Sequence, residues 1–286
     1  MIIVTGANGQ LGRAITERLL DHVPAAQVGV SVRDPQQARA LEERGVRVRR
    51  GDFTDPASLR HAFEGAEQVL IVSADSTGAG LVRAHRLAIE AAVAAGAKRI
   101  LYTSHMGVSP SSPFPPMVDH AATEAILRDS GVAYTTLRNG FYASTVPMLL
   151  GAALKTGELA APEDGPVAWT AHADLADVTA LALAEDGLLD GVTPPLTAAE
   201  AIDMTGVAEI ASHVTGHPVR RIVVSDADYR ASLLAHGLPE AQADMLVGLF
   251  IASRHGDFVP ADPALAALLG RPPITLADYL KEALAP

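Results

Sequence analysis

Three glycines at three-residue spacing are the first residues here that could do chemistry. Ile2-Ile3-Val4 leads into Thr5-Gly6-Ala7-Asn8-Gly9-Gln10-Leu11-Gly12, a Gly-x-x-Gly-x-x-Gly turn between an apolar strand and an amphipathic helix. Gly6 permits the tight turn, Gly9 lets the backbone approach a pyrophosphate with no Cβ in the way, and Gly12 allows close packing of helix on strand. The helix N-terminus adds free N–H groups and the positive end of its dipole. A dinucleotide phosphate is the expected ligand, with Asn8, Gln10 and Leu11 in the same loop as further contacts.

Cofactor choice is read at the end of the second strand, where Val28-Gly29-Val30-Ser31-Val32 stops on Arg33. A guanidinium there suits a 2'-phosphate through paired charge-assisted bonds, which points to NADPH/NADP; the alternative is a solvated surface arginine. Asp34 precedes Pro35 and is expected to cap the next helix. Asp52, with Phe53 beside it, is expected near the adenine, or else Asp52 caps the helix that begins near Pro56. Ser73, Ala74 and Ser104 follow the fourth and fifth strands, at the carboxyl ends where open parallel sheets bind ligands.

The general acid is less obvious. The lysines are Lys98, Lys155 and Lys281, and none follows a tyrosine by four residues, so a Tyr-x-x-x-Lys pair is absent. His120 and Glu124 stand at i, i+4 on one helix face. Either His120 is a proton donor or substrate hydrogen-bonder steadied by Glu124, or the two form a surface ion pair. Ser104, His120 and Asn139 are expected at the reacting centre, with His105, Phe141 and Tyr142 contacting substrate. Ser104 lacks a Gly-x-Ser-x-Gly setting for a hydrolase nucleophile. Gly216 and Pro218 break any helix carrying His213 and His217, so no metal site is expected. The chain has no cysteine, which excludes disulfides and thiol chemistry.

These residues need a frame to hold them. Short strands at Ile2 to Val4, Val28 to Val32, Val46 to Arg49, Gln68 to Val72, Arg99 to Thr103 and Tyr134 to Leu137 alternate with helical stretches, the pattern of βαβ units on a parallel sheet. The fold expected is α/β: a doubly wound Rossmann sheet over 1–140 and a smaller, substrate-covering α/β region over 141–286. Their boundary is soft, and segments can exchange across it. The second half reads as helices near Ala173 to Ala184, Val207 to Val214, Asp226 to Ala235 and Glu240 to Ser253, with short strands at Val167 to Thr170 and Val219 to Val224. Leu149, Leu150 and Leu154 read as core, and His85 as a surface or inter-helix residue. A formal net charge of −11 across 286 residues disfavours nucleic acid and anionic membranes as partners. No apolar run is long enough to span a bilayer, so a cytoplasmic protein is expected, monomeric or homodimeric.

Taken in order, several short motifs carry a resemblance. The Gly-Ala-Asn-Gly-Gln-Leu-Gly loop, Val32-Arg33-Asp34, Tyr102-Thr103-Ser104, His120-x-x-Thr123-Glu124 and Leu137-Arg138-Asn139-Gly140-Phe141-Tyr142 resemble the NmrA-like branch of atypical short-chain dehydrogenases/reductases, in particular its quinone- and triphenylmethane-dye-reducing members. The similarity extends to Leu268-Leu269-Gly270-Arg271-Pro272-Pro273 and departs at His105-Met106-Gly107 and over 193–203. It implies an NADPH site at Gly6, Gly9, Gly12 and Arg33, with Ser104, His120 and Asn139 near the nicotinamide. The function implied is an NADPH-dependent reductase, an oxidoreductase passing hydride to a quinone, dye or similar conjugated acceptor; the alternative is a redox-sensing regulator that binds NADP(H) without turnover.

Overall fold

The computed structural model describes residues 1–259 and 261–285. Two compact units emerge: residues 1–110, 116–139 and 172–196 form the first, and residues 111–115, 140–171 and 197–286 the second. Against an expected division near 140, residues 172–196 return to the first unit and the short piece 111–115 joins the second.

In the first unit the order is β1 (Ile2–Thr5), α1 (Gln10–Leu19), β2 (Val28–Val32), α2 (Arg39–Glu43), β3 (Arg47–Arg50), α3 (Pro56–Phe63), β4 (Gln68–Ile71), α4 (Ala79–Ala94), β5 (Arg99–His105), α5 (Pro115–Arg128) and β6 (Ala133–Asn139). After an excursion through β7 (Phe141–Tyr142), α6 (Thr145–Leu150), α7 (Ala153–Thr156), β8 (Glu158–Pro162) and β9 (Trp169–Thr170), the chain comes back as α8 (His172–Ala184) and β10 (Gly191–Val192). The central sheet has seven strands in the order β10-β6-β5-β4-β1-β2-β3, all pairings parallel. Strand order reverses between β1 and β4, the point at which such sheets bind ligands beyond their carboxyl ends.

Burial explains the strand compositions. Both faces of β1, β2 and β4 are covered along most of their length, so Ile2-Ile3-Val4 and Val69-Leu70-Ile71 read as continuous apolar runs, and β2 alternates valine with the small Gly29 and Ser31. Strand β3 is the edge, and its Arg47, Arg49 and Arg50 suit an exposed border. Arg47 reaches the carbonyls of Ala62 (3.0 Å) and Glu64 (2.7 Å) at the end of α3, where cations complement the helix dipole. Leu11, Ile15 and Leu19 bury one stripe of α1 and α8 packs on that helix, with Arg18 joined to Asp177 at 2.6 Å.

The second unit holds α9 (Met204–Thr215), β11 (Arg220–Val224), α10 (Asp226–Ala235), α11 (Glu240–Arg254), α12 (Ala264–Leu269) and α13 (Leu276–Ala283). Two small parallel pairs, β11 with β8 and β7 with β9, accompany the helices. Phe114, Phe141, Trp169 and Phe258 stack edge to face or tilted in its core, at centroid separations of 5.1–5.9 Å. Leu150 is buried, but Leu154 is 38% exposed. The one-turn helix α7 buries only Ala153, so the expectation of a core leucine fails there.

Candidate functional site

The glycine turn ends β1 with a conformation that only its sequence allows. Gly6 has φ +67°, a left-handed geometry that suits glycine, and its N–H donates to Ser31 O at 3.1 Å. Gly9 donates to Gly6 O at 2.9 Å, and Arg13 N–H closes the first helical bond on Gly9 O. A Cβ at Gly12 would lie 2.4 Å from Gly6 O, an impossible contact with backbone. At Gly9 a Cβ would meet a single atom within 4 Å, Gly6 O at 3.3 Å, a tight contact that the loop would have to relax by a few tenths of an ångström. Gly9 is the N-cap of α1 and contributes no side-chain cap. The N–H groups of Gln10, Leu11 and Gly12 are therefore left for an outside acceptor, and no acidic side chain stands in that first turn.

Neighbouring groups complete an anion-binding surface. Asn8 ties the loop to the end of β2 by donating to Asp34 O at 2.9 Å, while its Oδ1 is buried without a partner, as is Ser31 Oγ. Asp34 accepts from the N–H of Gln36 (3.1 Å) and from Gln37 Nε2 (3.0 Å), so it caps the following turn as expected. Arg33 is exposed and makes no hydrogen bond or ion pair within the described residues. Asp52 accepts from the N–H (2.9 Å) and hydroxyl (2.7 Å) of Thr54, which hold its carboxyl below the usual range. The cap of α3 is Asp55, not Asp52. Phe53 is half-buried, its ring edge-to-face with His85 at 6.1 Å. Uncapped N–H groups and an exposed guanidinium together fit a dinucleotide phosphate.

Beyond β4 the chain is held by two threonines. Val72 N–H donates to Thr5 Oγ1 and Ser73 N–H to Thr103 Oγ1, each at 2.9 Å. Ser73 is half-buried and Ala74 exposed at the switch point between β1 and β4.

At the ends of β5 and β6 the expected reacting residues sit in one unit but not with the expected partners. Ser104 is 2% exposed and donates its hydroxyl to Glu124 Oε1 at 2.6 Å. Glu124 also takes two bonds from Arg138, from Nε at 3.1 Å and from Nη2 at 2.8 Å. Among the described residues no hydrogen bond joins it to His120 and it is nearly buried, so the surface ion pair is corrected; what Glu124 exerts on His120 is the pull of its charge. The partner of His120 is Tyr102: the tyrosine oxygen lies 2.6 Å from His120 Nδ1. Burial pushes the His120 imidazole down to about 4, against an upward pull from Glu124. His105, its ring 6.1 Å from that of His120, is held well below its ordinary value by burial and by His120. Asn139 is fully buried, and neither atom of its amide has a partner, which costs roughly 1–3 kcal/mol per group unless a ligand satisfies it.

Phe141 and Tyr142 belong to the second unit, where Phe141 is a member of the aromatic core and Tyr142 is half-buried. Spacing rules had no way to find Tyr102 or His85: a strand tyrosine and a histidine on another helix share no periodicity with His120. Among the described residues no group of three or more histidines or carboxylates is arranged to hold a metal, and no helix is long and apolar enough to cross a membrane.

A family model described as NAD(P)H-binding matches residues 6–186. The chain is 37% identical to quinone oxidoreductase 2 of Escherichia coli (strain K12), over 97% of this chain and 96% of that protein. It is 30% identical to an NmrA-like family domain-containing oxidoreductase of Aspergillus flavus, over 99% and 94%. Among solved structures it is similar to an NADPH-dependent quinone oxidoreductase of Escherichia coli complexed with NADPH, with TM-score 0.94, 36% identity and 100% of both chains covered. It is also similar to the Citrobacter sp. triphenylmethane reductase complexed with NADP(H), with TM-score 0.90, 32% identity, and 99% and 100% covered.

Proposed function

This chain belongs to the NAD(P)H-binding family, among its NmrA-like members, and from that premise we propose that it is an NADPH-dependent oxidoreductase acting on a quinone, a dye or a similarly conjugated small molecule. The observation that carries the reading is the uncapped N-terminus of α1 beside the unengaged Arg33, in the same unit as two histidines kept neutral at pH 7. When bound, the reduced nicotinamide supplies a hydride.

The residues of the chain divide the remaining work. The N–H groups of Gln10, Leu11 and Gly12 hold the pyrophosphate, and Arg33 holds the 2'-phosphate. Asn139 is 0% exposed, so its unpartnered amide is shielded from a bound molecule in this conformation and takes no part in this division. Ser104 has given its only proton to Glu124, so its part is to fix that carboxylate, and His120 is the hydrogen-bond donor to the acceptor. A conjugated acceptor spreads the charge that arrives with the hydride, so it needs a positioned donor more than a strong acid. Water supplies the balancing proton. This accounts for a site without the Tyr-x-x-x-Lys pair.

NADPH oxidation measured against a panel of quinones and triphenylmethane dyes, with NADH in parallel, tests the reading. Acceptor-dependent oxidation with NADPH preferred is expected. His120→Ala is expected to lower turnover by roughly 10- to 100-fold, less than the loss of a dedicated acid. Tight NADPH binding with no oxidation against any acceptor would replace the reductase by a redox-sensing binder.

A further inference from the structure

In the first unit, residues of α4, α5 and β5 form one hydrogen-bonded line whose direction can be worked out atom by atom. Thr123 Oγ1 lies 2.9 Å from the carbonyl oxygen of Asp119 one turn earlier. A carbonyl only accepts, so the single hydroxyl proton of Thr123 is spent there. His85 Nδ1 lies 3.0 Å from the same Thr123 oxygen and must therefore be the donor. His85 is fully buried, and burial pushes its imidazole down to about 3. Being neutral, it carries its one proton on Nδ1, and its buried Nε2 has no partner.

The same Nδ1–H faces the Tyr102 oxygen at 3.5 Å, so the tyrosine meets a proton on that side, not a lone pair. On its other side Tyr102 lies 2.6 Å from His120 Nδ1. That is shorter than the usual N–H···O range and suits an O–H donor. Tyr102 thus donates to Nδ1 of His120. A neutral imidazole whose Nδ1 accepts must hold its proton on Nε2. His120 is half-buried, and its Nε2 is not among the buried atoms lacking a partner.

We propose that Tyr102, itself steered by His85 and Thr123, is a positioning residue that fixes His120 as the Nε2–H tautomer, so that His120 meets the acceptor as a neutral hydrogen-bond donor. The second half of this statement rests on the reductase reading above; the tautomer does not. The other tautomer would turn a bare lone pair toward an oxygen gaining negative charge, and the line from Asp119 to His120 removes it. A role for Tyr102 as core filling alone makes a different prediction, because phenylalanine would serve equally well.

Long-range proton–nitrogen correlation of the histidine side chains, on the 15N-labelled full chain at pH 7 without cofactor, reads the tautomers directly. The His120 signal is assigned by its loss in His120→Asn. Wild type should show a single Nε2–H form, and Tyr102→Phe should mix in the Nδ1–H form. Thr123→Val acts from the far end and covers the case in which Tyr102→Phe fails to fold: His85 should lose its fixed Nδ1–H, and the His120 preference should weaken. A wild-type His120 found as Nδ1–H or as a mixture overturns the proposal, as does a His120 tautomer untouched by both variants. In turnover, Tyr102→Phe should lower kcat by roughly three- to tenfold, the effect of one neutral hydrogen bond, with NADPH affinity unchanged. A fixed tautomer released by Tyr102→Phe, in a protein that reduces no acceptor, would remove the reductase reading and leave the assignment of Tyr102 standing.

Discussion

Glu124 and Arg138 meet side by side between α5 and the carboxyl end of β6, joined by two parallel bonds of 2.8 and 3.1 Å. The same carboxylate accepts from Ser104 at 2.6 Å, so three segments converge on one nearly buried charge. Removing one member of such a pair leaves the other charge in a poorly solvated place. Glu124→Ala should cost about 3 kcal/mol of stability, and Glu124→Gln, which keeps the shape, distinctly less. Urea unfolding of the two variants checks this, and an unchanged midpoint for Glu124→Ala would mean that the pair is solvated after all.

The two outer glycines of the phosphate loop should separate folding from binding. Gly9 has an extended backbone, and a Cβ there would meet only Gly6 O, at a tight 3.3 Å, so Gly9→Val should still fold, with a small loss of stability, and lose dinucleotide affinity. At Gly12 a Cβ would meet the Gly6 backbone at 2.4 Å, so Gly12→Ala should lower the melting temperature as well. Thermal melts alongside calorimetric NADPH titration distinguish them; a folded Gly9→Val protein with full affinity would place the phosphates elsewhere.

Among the described residues Arg33 makes no hydrogen bond or ion pair and acts within the protein only through its charge on Asp52, so its removal should change stability little and act chiefly on the ligand. Arg33→Ala should weaken NADPH by roughly 1.5–3 kcal/mol, the range for a hydrogen bond to a charged group, and NADH hardly at all. Paired titrations read the difference, and equal wild-type affinity for both nucleotides would contradict the assignment.

Four histidines whose imidazoles burial holds low, His85, His105, His120 and His172, should make the fold acid-sensitive in a defined window. Burial holds His85 at about 3 and His120 and His172 at about 4, against 6.5 when unburied. Between pH 4 and 6.5 the unfolded chain thus binds more protons than the native one, and stability falls as pH falls. Their contribution is complete above 6.5. Each histidine adds a slope approaching about 1.4 kcal/mol per pH unit within the window. Urea unfolding at pH 7.5 and pH 5 measures it; equal free energies would show that these imidazoles are solvated or charged in the native state.

Much of the frame was legible in the sequence because it is locally encoded. The glycine turn, the short apolar strands and the Asp34 cap depend on residues within a few positions of one another, and β2 and α10 fall at the expected bounds. The missing Tyr-x-x-x-Lys pair is likewise a matter of spacing alone. Partnerships between elements were not legible. His120 and Glu124 share a helix face, yet one is bound by Tyr102 of β5 and the other by Arg138 of β6. The return of 172–196 to cover α1 and extend the sheet was equally hidden. Helical periodicity fixes which face a side chain occupies, but which strand lies under that face follows from the order of strands in the sheet, and that order is set only when the whole unit packs.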